Sequence, residues 1–274
     1  MVIRRESVAS FGALAVIVLL AVAGPTSAAV LVDGNSTVTI DPASLSGVSS
    51  WTINGVNHLD YSWLWYGGAI LDKEYSLDSV YIGEDTGTNW LKAYYGYEYT
   101  GGYVLITLDY VLTEGAGQST LEGTMTLVNG GEEALDAELF ALFDFDLNGT
   151  ADGDTIERLG DLGMRQTHGN TTVDVLVNEV PSGWEIAESP TIYDKLTDGD
   201  KDNLDNSESF SSDGEFAWQW SASIMASQTM KVGLGKATIT TTPEPASLLI
   251  WTVLGAALGL TGWRRSTASR GDLA

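Results

Sequence analysis

Leu91–Tyr99 (LKAYYGYEY) and Tyr103–Thr113 (YVLITLDYVLT), separated by a break that contains Gly101-Gly102, decide how the chain folds. In the first stretch Leu91, Ala93, Tyr95, Tyr97 and Tyr99 fall on one side of an extended chain, with Lys92, Tyr94 and Glu98 on the other. A period of two is the spacing of a strand with one buried face, and a paired glycine between two such runs suits a two-residue hairpin. The same alternation continues outward. It runs through Ser36–Ile40, Trp51–Val56 with an Asn54-Gly55 turn, and Thr120–Val128. Thr120–Val128 meets Ala134–Phe145 across Asn129-Gly130-Gly131. Thr171–Asn178, Glu215–Ser223 and Thr229–Thr240 complete the set. Between the two ends, apolar spacing of three and four is never sustained beyond about ten residues. About twelve strands at this spacing predict an all-β fold, an antiparallel β-sandwich over residues 30–240. Ser189-Pro190 and the acidic stretch behind it read as a long surface loop.

The chain carries 37 acidic and 13 basic side chains, two histidines and no cysteine. Between Val30 and Thr242 the imbalance is 34 acidic to eight basic. A surface that negative repels phosphate backbones, so nucleic acid is not an expected partner, whereas divalent cations are compatible. Without cysteine there is no disulfide framework, thiolate metal site or cysteine nucleophile. A domain of about 210 residues with ordinary apolar content can bury a core without such staples.

Both ends read as addresses. Residues 1–29 have Arg4 and Arg5, then an apolar run from Phe11 to Ala23, then Gly24-Pro25 and small residues suited to cleavage after Ala28 or Ala29: a secretory signal peptide. Residues 246–263 (ASLLIWTVLGAALGLTGW) are 18 residues without a charge, about 27 Å as a helix and close to a hydrocarbon core. Arg264 and Arg265 follow, marking the cytoplasmic side of a transmembrane helix, with residues 264–274 as a basic tail. Residues 241–245 form a linker that ends in Pro243-Glu244-Pro245, whose prolines hold Glu244 extended outside the membrane.

A Pro-Glu-Pro triplet, one apolar helix and an arginine pair at the end of an exported chain resemble the PEP-CTERM sorting signal, also known as the ice-binding-protein C-terminal domain, a name that implies no ice binding. The resemblance covers Pro243 to Arg265, and the tail from Ser266 to Ala274 is longer than is usual for it. It implies recognition of Pro243, Glu244, Pro245, Arg264 and Arg265 by an exosortase-like processing enzyme. It also implies transient anchoring in the inner membrane and delivery to the cell surface or the exopolysaccharide matrix. The blocks LFDFDLNGT, LTDGDKDNLDN and EFAWQWSASI resemble an uncharacterised secreted β-domain found with this signal, which implies a fold and no activity.

One motif points to metal chemistry. Asp144, Asp146 and Asn148 place oxygen donors at alternate positions, Gly149 allows a sharp turn, and Asp152 and Asp154 follow. That is how a calcium loop begins, although Thr155 stands where a calcium-binding helix–loop–helix would place a bidentate glutamate. The alternative is a polar hairpin turn whose Asp and Asn side chains bond their own backbone. A second cluster, Asp198, Asp200, Asp202, Asn203, Asp205 and Asn206, repeats the spacing around Lys201 and reads as a solvated acidic loop or as a source of shared ligands. Trp63 with Trp65, and Trp218 with Trp220, alternate at strand period as core residues do, though flat rings can also carry sugars. Neither a GxSxG elbow nor an HExxH helix occurs, and carboxylate pairs are inevitable among so many acids. The expectation is therefore a non-enzymatic, exported structural or adhesive protein. Alternatives are a calcium-dependent carbohydrate-binding module and a glycan-active hydrolase.

Overall fold

A computed structural model describes residues 28–242, apart from Ile70, Ala116 and Ser211. The signal peptide at 1–29 lies almost wholly outside the described residues, and the Pro243-Glu244-Pro245 motif, the apolar run at 246–263 and the tail lie outside them entirely. Among the described residues no helix is long and apolar enough to cross a membrane.

The described chain forms eighteen strands. The first nine are β1 (Ala29–Asp33), β2 (Ser36–Asp41), β3 (Gly47–Ile53), β4 (Val56–Asn57), β5 (Tyr61–Gly68), β6 (Tyr75–Ser76), β7 (Tyr81–Thr86), β8 (Trp90–Tyr99) and β9 (Gly102–Gly115). Then come β10 (Gln118–Asn129), β11 (Leu135–Asp144), β12 (Thr155–Arg158), β13 (Gly163–His168), β14 (Thr171–Leu176), β15 (Gly183–Glu188), β16 (Ser207–Ser209), β17 (Gly214–Ile224) and β18 (Thr229–Thr241). One short helix, α1 (Thr191–Thr197), lies between β15 and β16. A ten-stranded sheet has the order β1-β2-β3-β5-β11-β17-β15-β16, with β4 on β3 and β6 on β5. An eight-stranded sheet has the order β12-β13-β14-β18-β10-β9-β8-β7. Pairing is antiparallel except for β3 with β5 and β15 with β16. The all-β sandwich is therefore observed, with more strands than the alternation predicts.

The two sheets meet through residues of the predicted faces. Trp51 of β3 donates its indole N–H to Ser119 Oγ of β10 at 2.8 Å, and Tyr66 of β5 stacks on Tyr97 of β8 at 5.1 Å. Phe143, Phe216 and Trp218 add an aromatic cluster on the same inner face, with Phe143 and Phe216 5.4 Å apart. Trp63, Trp65, Trp218 and Trp220 are all buried, so packing claims these rings.

Three local differences follow from physical causes. In the β8–β9 hairpin Tyr99 pairs with Gly102, so the tight turn is Thr100-Gly101, one residue earlier than expected. Gly101 takes the positive φ of 111° that this turn requires. Second, β10 and β11 do not pair across Asn129-Gly130-Gly131; β10 pairs with β9 and β18, while β11 lies in the other sheet between β5 and β17. Asn129 clamps this crossover. Fully buried, it donates to the carbonyls of Glu133 and Ile224 and accepts from Tyr99 Oη and the Gly131 N–H. Third, β5 (YSWLWYGG) is buried on both faces, which removes the alternation that would reveal it. On its second face, Trp65 meets Tyr193 of α1 ring to ring, and Trp63 Nε1 donates to Ser76 Oγ of β6, which pairs with β5. The acidic segment after Ser189-Pro190 is thus a covering layer with a helix in it.

Candidate functional site: an acidic cleft beside β5, β11 and β17

Neighbouring antiparallel strands place directly opposed residues on one face. Asp144 at the end of β11 opposes Tyr61 of β5 on one side and Glu215 of β17 on the other. The register alone therefore brings Tyr61, Asp144 and Glu215 side by side on the face that α1 covers. Seven residues are too few for a stable isolated helix, so α1 depends on its docking. Glu215 accepts from the backbone N–H groups of Ile192 and Tyr193 at its start. Lys195 pairs with Glu185 of β15 at 2.8 Å and with Asp205 at 2.9 Å near its end. Between the start of this helix and the sheet lies a cleft of about 430 Å³, lined by Asp60, Tyr61, Asp144, Ser189, Tyr193 and Glu215 among others.

Aromatic rings and carboxyls share this cleft. Tyr61 and Tyr193 meet edge to face at 5.5 Å, and Tyr61 Oη donates to the Leu45 carbonyl at 2.8 Å. Ser189 Oγ donates to Asp144 Oδ2 at 2.8 Å, while Asp144 Oδ1 is buried with no hydrogen-bond donor. Burial pushes the Asp144 carboxyl up to about 7, the Ser189 bond opposing and the charges of Asp213, Asp60 and Asp146 adding. Burial likewise pushes Asp146 up to about 6, with Asp60, Asp213 and Asp154 adding. Glu215 is pushed by burial up to about 8, against the bond from Ile192 and with the Asp144 charge adding. Acids whose burial and mutual repulsion raise them together in a cleft make it the candidate functional site.

The sequence-predicted ligands divide. Asp144 and Asp146 come together, and with Asp213 they offer carboxylate oxygens that all lie within 4.8 Å of one another. Asn148, Asp152 and Asp154 do not join that group. Asn148, at φ 64°, donates its amide to the His168 carbonyl and accepts from Thr171 Oγ1, so its side chain ties loop to strand. Asp154 is buried against Gln166 Nε2 and lies 2.9 Å from His168 Nδ1. The second acidic cluster docks its segment on the sheet: Asp202 and Asp205 donate backbone N–H groups to Glu74 and Glu185, Asp205 pairs with Lys195 and Asn203 accepts from Gln219, while Asp202 Oδ2 is buried without a donor. Sequence reasoning missed Asp60, Tyr61, Ser189, Tyr193, Asp213 and Glu215. The one local trace is Glu215 itself, an acid opening the largely apolar run EFAWQW.

No family model matches the chain, and no curated protein matches it. Solved structures do. An Escherichia coli K12 protein assigned as an aldose 1-epimerase is similar at a TM-score of 0.50 and 9% identity, over 79% of this chain and 99% of that one. The Slr1438 protein of Synechocystis sp. PCC 6803 is similar at a TM-score of 0.50 and 10% identity, over 81% of this chain and 97% of that one. At these identities the likeness is one of fold. It corrects the expectation of a non-enzymatic protein, which rested on missing serine and zinc motifs and on setting carboxylate pairs aside as inevitable among so many acids. This sandwich is also the fold of a chain assigned as a sugar enzyme, and a carboxyl-lined cleft needs neither motif.

Proposed function

We propose that this chain is an exported carbohydrate-active protein and that the cleft beside β5, β11 and β17 is its sugar site. The observation that carries the reading is the meeting of Tyr61 and Tyr193 with Asp60, Asp144 and Glu215 in one cleft. Sugars present apolar C–H faces and rims of hydroxyls, so their sites combine a ring with carboxyls that accept, donate or transfer protons at oxygen. The fold likeness to a structure assigned as an aldose 1-epimerase supports the same substrate class. Asp60 and Glu215 are the proton-transfer groups of this reading, and Tyr193 is its stacking platform. Free aldoses and glycans ending in them are the expected ligands. The address follows from the ends: residues 1–29 export the chain, and Pro243-Glu244-Pro245 with the apolar run behind it deliver it to an exosortase-like enzyme at the inner membrane, then to the cell surface or exopolysaccharide.

Nuclear magnetic resonance of anomeric protons tests the first part. With a panel of free aldoses and oligosaccharides, the chain should speed anomer interconversion or bond cleavage for at least one member, and Asp60→Asn should slow it. A panel on which the chain neither binds nor turns over any sugar refutes the reading. For the address, Glu244→Ala should leave membrane insertion intact and block processing; normal maturation of the variant would reduce the triplet to a linker.

A further inference from the structure

We infer that Asp144, Asp146 and Asp213 form a binding site for one divalent cation of the calcium type, assembled from two separate parts of the chain. Calcium takes oxygen ligands at about 2.3–2.6 Å, so two ligands of one ion lie no more than about 5 Å apart. The three carboxylates meet that condition, with oxygens all within 4.8 Å of one another. Asp144 gives an independent sign of a missing partner. The residue is 6% exposed, its Oδ2 is taken by Ser189, and its buried Oδ1 has no donor at all. A buried carboxylate oxygen without a donor is costly, and a cation supplies what is lacking. Among the described residues no lysine or arginine forms an ion pair with Asp144, Asp146 or Asp213; the ion pairs involve other acids.

Topology explains why the contiguous loop is not the ligand set. Asp144 ends β11 and Asp146 follows as the chain turns, while Asp213 comes immediately before Gly214, where β17 starts alongside β11. Asn148 and Asp154 are withdrawn into bonds with Thr171, Gln166 and His168. Backbone geometry holds a further acid at hand, because the Asp60 N–H donates to the Asp144 carbonyl at 3.0 Å. Waters complete the shell, or sugar hydroxyls where the cleft is used as proposed. The cation inference shares that cleft but does not need a sugar.

Calorimetric titration of the full chain in detergent with calcium chloride, without sugar, tests it. Terbium luminescence sensitised by the neighbouring aromatic rings gives a second readout. One cation per chain is expected. Asp213→Asn and Asp146→Asn should each weaken binding about tenfold or more, since site affinity follows ligand charge. Asp152→Asn, which removes a charge near Asp213 but no proposed ligand, should weaken it far less. Absence of calcium uptake by the unaltered chain overturns the inference. So does unchanged binding by Asp213→Asn, or a loss in Asp152→Asn equal to that in Asp213→Asn. Because no sugar is present, failure here leaves the carbohydrate reading standing, and failure of the sugar panel leaves this one.

Discussion

Replacing Glu215 tests whether it holds the start of α1. The residue is 1% exposed, and its Oε1 accepts from the N–H groups of Ile192 and Tyr193. In Glu215→Ala both donors lose their acceptor at the start of α1. A buried unsatisfied donor costs about 1–3 kcal/mol, and the Tyr193 bond at 3.3 Å is long, which puts it at the lower end. The sum is about 2–4 kcal/mol. Lys195 still holds the far end of the helix to Glu185 at 2.8 Å, so the loss should fray its first turn without unfolding the sandwich. Glu215→Gln keeps the accepting oxygen and should cost under about 1 kcal/mol. Urea denaturation gives the stability, and hydrogen exchange at the Ile192 and Tyr193 amides locates it. Protection there should fall in Glu215→Ala and persist in Glu215→Gln. If Glu215→Ala matches the unaltered chain in stability and in protection at both amides, Glu215 does not hold the helix.

Two further perturbations test the frame. Asn129→Ala removes the amide that joins Glu133, Ile224, Tyr99 and Gly131, and should cost about 2–4 kcal/mol in urea denaturation from the buried groups it leaves unpaired. Glu74 is raised above the ordinary carboxylate range, chiefly by burial, against the bond from the Asp202 N–H. The folded chain therefore holds that proton more tightly than the unfolded chain. The stability it contributes is full below the ordinary glutamate range and falls as pH rises toward the folded value. Glu74→Gln should flatten that part of the pH–stability curve, which thermal unfolding across the carboxylate range measures.

Strand alternation made much of the sandwich legible. β8, β9 and β10 each bury one face and expose the other to solvent, so Leu91, Ala93 and Tyr95, or Ile106 and Leu108, declare their side in the sequence. The covered layer was not legible in this way. Trp63 and Trp65 point to one face and Leu64 and Tyr66 to the other, yet all four are buried, and a strand apolar on both faces carries no period. α1 is equally silent, since its seven residues are held by Glu185 and Glu215 from distant strands more than by their own pattern.

The candidate site was half visible. Asp144 and Asp146 stood out through calcium-like spacing, because Asn148, Gly149, Asp152 and Asp154 follow them in sequence. Their neighbours in space are different. Asp213 and Glu215 reach them only because β17 pairs with β11 in the register that sets Asp144 against Glu215. Tyr61 arrives through β5 and Tyr193 through the helix above. No local motif records a register between distant strands, and the missing serine and zinc motifs were silent about a site made of carboxyls.

Calorimetric titration of the sugar panel into the unaltered chain and into Tyr193→Ala tests the central claim most directly. Tyr193 lines the cleft with its ring against Tyr61 and Trp65, and removing the ring leaves the Glu215 bond to its backbone in place. The unaltered chain should bind at least one aldose or aldose-ended glycan. Tyr193→Ala should lose about 1–2 kcal/mol of that affinity, roughly a tenfold weakening, as the stacking surface goes. Equal affinity in the two proteins, or binding by neither, would contradict the assignment of this cleft as the sugar site.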